Sequence, residues 1–491
     1  MRTSELIKDV KVTTIVGQCD SEVVKLTYDS RCVESGSCFF AIRGLHFDGH
    51  DFIGDVVRGG ASVVVCESLE GLDLLEGAEC CFIVVESSEE AMGHMARNFY
   101  GDPSRELRLI GITGTNGKTT TATLLCDLFE ELGFHSGLIS TVCYRIGNET
   151  IDSTHTTPDS IRLSEMMRRM VDAGCDYCFM EVSSHSVVQR RIEGLHFAGA
   201  VFTNLTQDHL DYHGSFMEYL KAKKRLFDLL PKGAFAIVNG DDRNGSVMVQ
   251  NCAARVSKYS LRSMAELRGR VIEMHFDGML LSLDGVELWV RLLGKFNAYN
   301  LLSIYGVARE LGVGRDEALV AMSRLGGVRG RFEHFEAPEG RTIIIDYAHT
   351  PDAVASTLST IAEIGGSAGI VTICGCGGDR DREKRPIMAR IAYEGSTTTI
   401  FTSDNPRSED PEAILEEMVE GVREMAREQG RRYIKISDRR EAIRTGVMLS
   451  KPGDVILIAG KGHETYQVVG AQRLHFDDKE EARRAVELYL G

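Results

Sequence analysis

The run G-I-T-G-T-N-G-K-T-T-T at residues 111–121 constrains this chain more than any other segment. It follows the apolar run 107–112, interrupted only by Arg108, which reads as a buried strand. It opens the helix-forming run 122–132. Strand, glycine loop, lysine, hydroxyl and helix, in that order, make a phosphate-binding loop. Glycines such as Gly114 and Gly117 let backbone N–H groups, with those of Thr115 and Asn116, close around phosphate oxygens. The helix that follows turns its partial positive end toward the anion. Lys118 adds a full charge, and Thr119, followed by Thr120, offers a hydroxyl to Mg2+. The usual loop has glycine where this chain has Ile112, and the glycine stands one place earlier at Gly111, so the loop is a variant. An accidental glycine-rich turn would not need Lys118 or the threonines behind it.

At 491 residues the chain exceeds one core, and two to four domains are expected. Hydrophobic residues at 43% and charged residues at 26% are ordinary for a soluble globular protein. A net charge of −16 argues against a nucleic-acid or anionic-membrane surface, while leaving room for a local basic site that takes anionic small molecules. No segment has the length and apolarity of a membrane span, and the N-terminus lacks a signal-peptide core, so a cytoplasmic location without membrane insertion is expected. The thirteen cysteines read as buried or idle thiols. Cys175 and Cys178 have C-x-x-C spacing, but residues three apart in a strand face opposite sides and do not share a metal.

Three segments separate along the chain. Residues 1–101 carry short strands, a helix over 89–100 and the break G-D-P-S. Residues 102–334 hold the phosphate loop and a strand-rich stretch, 253–293, with hairpin-like D-G-M and D-G-V turns. Residues 335–491 alternate strands and helices again, the pattern of a second α/β unit. The expected fold class is α/β in three domains, with a central P-loop parallel or mixed sheet and a C-terminal Rossmann-like sheet. Strands are expected at 107–112, 177–182, 199–204, 342–346, 369–374, 398–402 and 454–459, each running into a polar loop. Ligands bind at the carboxyl ends of strands in such sheets, which suggests two sheets facing one cleft.

Several side chains stand out in those loops. Glu181 and His209 are candidate metal ligands beside Thr119, with Asp208, Asp211 and His213 crowded near His209. In the expected helix 215–230, Phe216, Leu220, Phe227 and Leu230 form an apolar stripe, and Lys223 falls on it. An inward lysine needs a partner or a modification, unless its stem snorkels to the surface. Asn297 and Asn300 read equally as helix caps or as groups facing a base or ribose. Asp346 ends the strand T-I-I-I-D, where its carboxylate suits a ribose hydroxyl or a turn.

Taken together, G-T-N-G-K-T-T at 114–120, E-V-S-S-H at 181–185, D-H-L-D-Y-H at 208–213, F-N-A-Y-N at 296–300, D-Y-A-H-T-P-D at 346–352 and G-K-G-H-E at 460–464 resemble the Mur ligases of bacterial peptidoglycan synthesis, over essentially the whole chain. The resemblance leans to the diaminopimelate-adding branch through D-N-P-R at 404–407. It implies an N-terminal domain for the UDP end of a nucleotide sugar, a central ATPase and a C-terminal amino-acid domain. It implies ATP and Mg2+, with UDP-N-acetylmuramoyl-L-alanyl-D-glutamate and meso-diaminopimelate as substrates.

The same resemblance places the nucleotide sugar at Ser30, Leu45, His46 and Phe47. The muramoyl-peptide would meet His155, Thr156, Thr157, Ser183, Gln189 and Arg191. Many relatives have Asn where this chain has His155. Lys223 matches a carbamylated lysine that bridges metal, joining Lys118 and His209 in the catalytic set. Diaminopimelate would meet Arg380, Asp404, Asn405, Pro406, Arg407, Gly460 and Glu464. The implied reaction makes an amide through an acyl phosphate. Folylpolyglutamate synthetase shares the architecture but lacks such an N-terminal domain and D-N-P-R. A switch-type P-loop NTPase would not need the loops at 375–381 and 460–464.

Overall fold

A computed structural model describes residues 1–44, 47–70 and 80–491. It is a mixed α/β chain built on three main sheets. The first has five strands in the order Val12–Val16, Cys81–Val85, Val63–Cys66, Ser37–Phe40, Lys25–Thr27, parallel except for the antiparallel first pair. The second has eleven strands, and Arg108–Thr113 lies in its parallel centre, between Gly199–Phe202 and Tyr177–Glu181. Its two ends are antiparallel hairpins. The third has six strands in the order Glu333–Ala337, Arg341–Asp346, Val455–Ala459, Ile370–Cys374, Thr398–Phe401, Ile434–Lys435, parallel after the first pair.

Strand periodicity explains how the central sheet is covered. Ile110, Ile112, Phe179 and Val201 face one side, against the helices Lys118–Glu131 and Lys295–Glu310. Their neighbours Leu109, Cys178, Met180 and Ala200 face the other, against Ser160–Asp172 and Phe216–Asp228. Strands buried on both faces read as continuous apolar runs. The third sheet repeats the arrangement, with Ile344 and Leu457 to one face and Ile343 and Ile456 to the other. Each of the Ile, Leu, Val, Phe and Met side chains among them, fully buried, contributes about 1.5–3 kcal/mol.

Register brings the loops level. Ile112 pairs with Glu181 and with Val201, so the phosphate loop, Glu181 and the 203–209 loop leave the sheet together. Asp346 and Cys374 both pair with Ala459, so Asp346, Gly375 and Gly460 stand side by side at the end of the third sheet.

Three local expectations are corrected. The break at G-D-P-S holds a short helix, Pro103–Glu106, entered through Asp102 at φ 54°, because proline's fixed φ suits a first helical turn. Asn297 and Asn300 do not cap their helix: Gly294 does, and both asparagines are buried within its first turns. Cys19 and Cys81 form a disulfide, with Cα atoms 4.9 Å apart, so the thirteen cysteines are not all idle thiols. Val16 pairs with Phe82, which brings the segment after Val16 alongside the start of Cys81–Val85. No helix among the described residues is long and apolar enough to cross a membrane.

Candidate active site

The carboxyl ends of the second and third sheets open onto one cleft of about 1210 Å3. Phosphate-loop residues Thr115 to Thr120 line one wall, and Asp346, Arg380, Arg407, Gly460 and Glu464 line the other.

The loop is held from the strand beside it. Thr115 N donates to Asn204 O at 2.9 Å, and Asn116 N donates to Asn204 Oδ1 at 2.9 Å. Thr203 Oγ1 donates back to Asn116 O at 2.6 Å. Gly117 has φ 88°, and a Cβ there would lie 2.6 Å from Asn300 Oδ1, so both conformation and space require glycine. Asn300 thus packs under the loop, its Nδ2 donating to Asn297 Oδ1 at 3.1 Å, while Asn297 Nδ2 donates to Leu293 O at 2.8 Å. Asn300 lines the cleft and Asn297 supports it.

Lys118 Nζ donates to the carbonyls of Gly114 and Thr115 at 2.9 and 2.8 Å. Lys223 is 1% exposed on the inward face of Phe216–Asp228, and its Nζ donates to Gly114 O at 2.8 Å. Nζ also lies 4.6 Å from the centroid of the Tyr219 ring. Burial, then the Lys118 charge, push the Lys223 amine well below its usual range, with Asp208 opposing.

Glu181 is fully buried. Its Oε1 accepts from Thr141 N at 2.7 Å, while its Oε2 accepts from no group among the described residues. A buried carboxylate oxygen without a donor suits a hard cation, as does the Thr119 hydroxyl. His209 has φ 54°, and its Nε2 stands 3.3 Å from Asp208 Oδ2. Burial is the main cause that lowers its pKa to about 3, so the ring is neutral and can ligate. Asp208 stays beside His209, and His209 and His213 both pack on the His185 ring, but the short helix Leu210–His213 turns His213 Nε2 to Ser184 Oγ at 2.9 Å. Among the described residues no three His, Cys, Asp or Glu side chains group around a metal position. A Mg2+ ion beside Thr119, Glu181 and His209 would need further oxygen, from phosphate or water, to complete its set.

Arg331 was not singled out from sequence. It leaves the junction between the second and third sheets, and its Nη2 donates to Thr119 Oγ1 at 3.0 Å, with its guanidinium 4.3 Å from the Tyr347 centroid. Two arginines, 329 and 331, entering at a segment boundary were the available signal. Asp346, close by, accepts from Phe332 N at 2.6 Å, Ala348 N at 3.0 Å and Thr357 Oγ1 at 3.2 Å. Asn116 Nδ2 reaches Asp352 Oδ2 at 3.0 Å, a second tie across the cleft.

The middle of the cleft is polar. Thr157 Oγ1 donates to Glu181 O at 2.8 Å and accepts from Ser183 N at 3.2 Å. Thr156 meets Thr141 Oγ1 at 3.1 Å. Arg191 donates to Thr157 O and to Gln189 Oε1, both at 2.5 Å. His155 is exposed at the rim.

At the far end, Asn405 Nδ2 donates to Glu464 Oε2 at 2.8 Å, and Lys461, fully buried, donates to both side chains. Lys461 is a second residue that sequence reading passed over, although it sits inside G-K-G-H-E. Arg407 Nη1 donates to Gly378 O at 2.6 Å. Burial, then the neighbouring Arg407 charge, lower the pKa of Arg380, and two guanidinium groups so close favour an anion between them. Asp404 and Gly460 line this end, whereas Pro406 turns the chain outside the lining. Ser30 and Phe47 lie outside the cleft, Phe47 with 75% of its surface exposed. Leu45 and His46 fall outside the described residues.

The Mur ligase family, catalytic domain, matches residues 22–100, the Mur ligase middle domain residues 112–308, and the Mur ligase, glutamate ligase domain, residues 330–462. A UDP-N-acetylmuramoyl-L-alanyl-D-glutamate–2,6-diaminopimelate ligase of Cytophaga hutchinsonii is 49% identical over 479 residues, covering 98% of either chain. One of the same name from Phocaeicola vulgatus is 50% identical over 484 residues, covering 98% of this chain and 99% of that one. A solved structure of a ligase of that name superposes with a TM-score of 0.70 at 31% identity, covering 100% of this chain and 99% of the other.

Proposed function

Because this chain belongs to the Mur ligase family, we propose that it is an ATP-dependent ligase joining meso-2,6-diaminopimelate to UDP-N-acetylmuramoyl-L-alanyl-D-glutamate in the cytoplasm. The observation that carries this reading is the cleft itself, with a phosphate loop on one wall and the Arg380–Arg407 pair beside Asn405 and Glu464 on the other. The names of its relatives support the choice of substrates.

The D-glutamyl γ-carboxylate attacks the γ-phosphate of ATP, giving an acyl phosphate and ADP. The amine of diaminopimelate then attacks the acyl carbon, and phosphate leaves. An anion attacking an anion needs offsetting charge, which Lys118 and Arg331 supply from opposite walls. Thr119, Glu181, His209 and Lys223 would hold Mg2+, which neutralises phosphate charge. Asp346 and Asn300 are proposed to meet the nucleoside part of ATP. Thr156, Thr157, Ser183, Gln189 and Arg191 would orient the peptide, with Ser30 and the 45–47 turn at the UDP end. Asp404, Asn405, Arg407, Gly460 and Glu464 would orient the incoming amino acid. Ties across the cleft through Arg331 and Asn116 bring the walls together and exclude water, which would otherwise hydrolyse the acyl phosphate.

The test is ADP release with ATP, Mg2+ and the UDP-linked dipeptide, measured without amino acid, with meso-diaminopimelate and with L-lysine. Release stimulated by diaminopimelate, with the UDP-tripeptide formed, is expected. Release with neither amino acid would overturn the reading.

A further inference from the structure

The last two strands, Tyr466–Val469 and Gln472–His475, form a hairpin outside the three main sheets. Its outer strand is exposed throughout. A two-stranded hairpin is marginal on its own, and this one buries no core side chain. Its bonds to the rest of the chain concentrate on one place, the D-N-P-R segment. Val469 forms an isolated parallel bridge with Arg407. Arg407 N donates to Val468 O at 3.0 Å, and Gly470 N donates to Arg407 O at 2.7 Å. Val468 N donates to Asn405 Oδ1 at 3.0 Å, which turns the Asn405 amide N–H toward Glu464. Gln467 Nε2 donates to Asp404 O at 2.7 Å.

These bonds meet a backbone that would not hold itself. Arg407 has φ 52°, a left-handed conformation that costs a residue with a Cβ. Both its N–H and its C=O are taken by the hairpin. The side chain can therefore reach Gly378 O from the cleft lining only while the hairpin holds this turn.

We infer that the hairpin sets amino-acid selectivity, with Gln467 and Gly470 as positioning residues that present Asp404, Asn405 and Arg407 to the distal end of the amino acid. This rests on the proposed use of diaminopimelate. A carboxylate at that end is recognised by paired guanidinium hydrogen bonds, which fail if the guanidinium shifts by about 1 Å. Lysine, with no distal carboxylate, gains nothing from that placement and loses little when it is disturbed.

Gly470 provides a clean test. It has φ 58° and open space where a Cβ would go, so a substitution there acts on backbone conformation alone. Asparagine tolerates that conformation and a β-branched residue does not. Gly470→Val should raise the KM for diaminopimelate about tenfold and narrow the preference over L-lysine, with the KM for ATP and for the UDP-dipeptide unchanged. Gly470→Asn should restore wild-type values. Gln467→Ala should move the same two readouts in the same direction by a smaller factor, and thermal midpoints should stay at the wild-type value. A wild-type KM and selectivity in Gly470→Val and Gln467→Ala would overturn the inference alone. So would a uniform fall in kcat with all KM values kept. Wild-type enzyme that ignores diaminopimelate would instead sink the functional reading, and this inference with it.

Discussion

Lys118 and Lys223 donate to the same oxygen, Gly114 O, at 2.9 and 2.8 Å. Two ammonium groups at one carbonyl repel each other, and burial, then Lys118, depress the Lys223 pKa. A neutral amine is the form that adds CO2, and the resulting carbamate would turn repulsion of Lys118 into attraction and offer oxygen to a metal. Enzyme equilibrated with 13C-labelled CO2 should show a carbamate carbon signal that Lys223→Ala lacks. Lys223→Ala should be almost inactive, and short carboxylic acids in the buffer should restore part of the activity. A free ammonium at Lys223 in the active, metal-loaded enzyme would contradict this.

Lys118→Ala should abolish ADP release, because Lys118 is the cation that the glycine loop itself carries. Among the described residues its ammonium bonds only to loop carbonyls, so thermal melting should shift little. ADP release near the wild-type rate would remove Lys118 from the reaction.

Arg331 reaches the phosphate loop from the opposite wall, so its loss should separate closure from folding. Arg331→Ala should lower kcat about 10²–10³-fold, the scale for losing one charge-stabilising donor. Arg331→Lys should recover little, because a lysine cannot both stack on Tyr347 and reach Thr119. Steady-state kinetics with both variants check this, and full activity of the lysine variant would refute it.

Glu464 gives a pH prediction. Burial first, then the Asp404 charge, raise its carboxyl pKa, with Lys461 and Asn405 opposing. The ionised form is the one that accepts from an incoming ammonium. It is lost as pH falls through a value above the ordinary carboxylate range of about 4.3. The KM for diaminopimelate should therefore rise on the acid side, and Glu464→Gln should raise it at every pH while flattening that limb. A limb that survives in Glu464→Gln belongs to another group.

What the sequence made legible was whatever is local. The phosphate loop is contiguous, and strands buried on both faces leave apolar runs that end where polar loops begin, as at Glu181 and Asp346. Lys223 could be singled out because a helix stripe has a period that residue type alone breaks. Relations between segments were not legible. Arg331 meets Thr119 across more than two hundred positions, and nothing near either residue encodes the distance. His213 is a chain neighbour of His209 and packs with it on the His185 ring, yet one helical turn points its Nε2 to Ser184 Oγ, which spacing does not encode. Cys19 pairs with Cys81 because two strands are antiparallel, a fact of topology rather than spacing. Lys461 stood in plain view, but its burial under Asn405 and Glu464 is tertiary.

The last prediction concerns which amino acid enters. meso-Diaminopimelate differs from lysine by a carboxylate at its far end, and Arg407 is proposed to meet it beside Arg380, whose pKa is lowered by burial and then by the Arg407 charge. Arg407 now donates to Gly378 O, so a bound carboxylate exchanges a neutral acceptor for a charged one. With lysine the two guanidinium groups would stay unneutralised, and a site built for a polar group rejects an analogue lacking it by roughly 10⁴–10⁵-fold. Arg407→Ala should raise the KM for diaminopimelate strongly and leave those for ATP and the UDP-dipeptide nearly unchanged, since Arg407 lines the wall opposite the phosphate loop and bonds to Gly378 O. An arginine held only by a surface turn would tolerate alanine with no change in KM. Measuring kcat/KM for diaminopimelate and L-lysine in wild-type and Arg407→Ala enzyme decides between these, and equal use of both amino acids by the wild type would exclude the role given to Arg407.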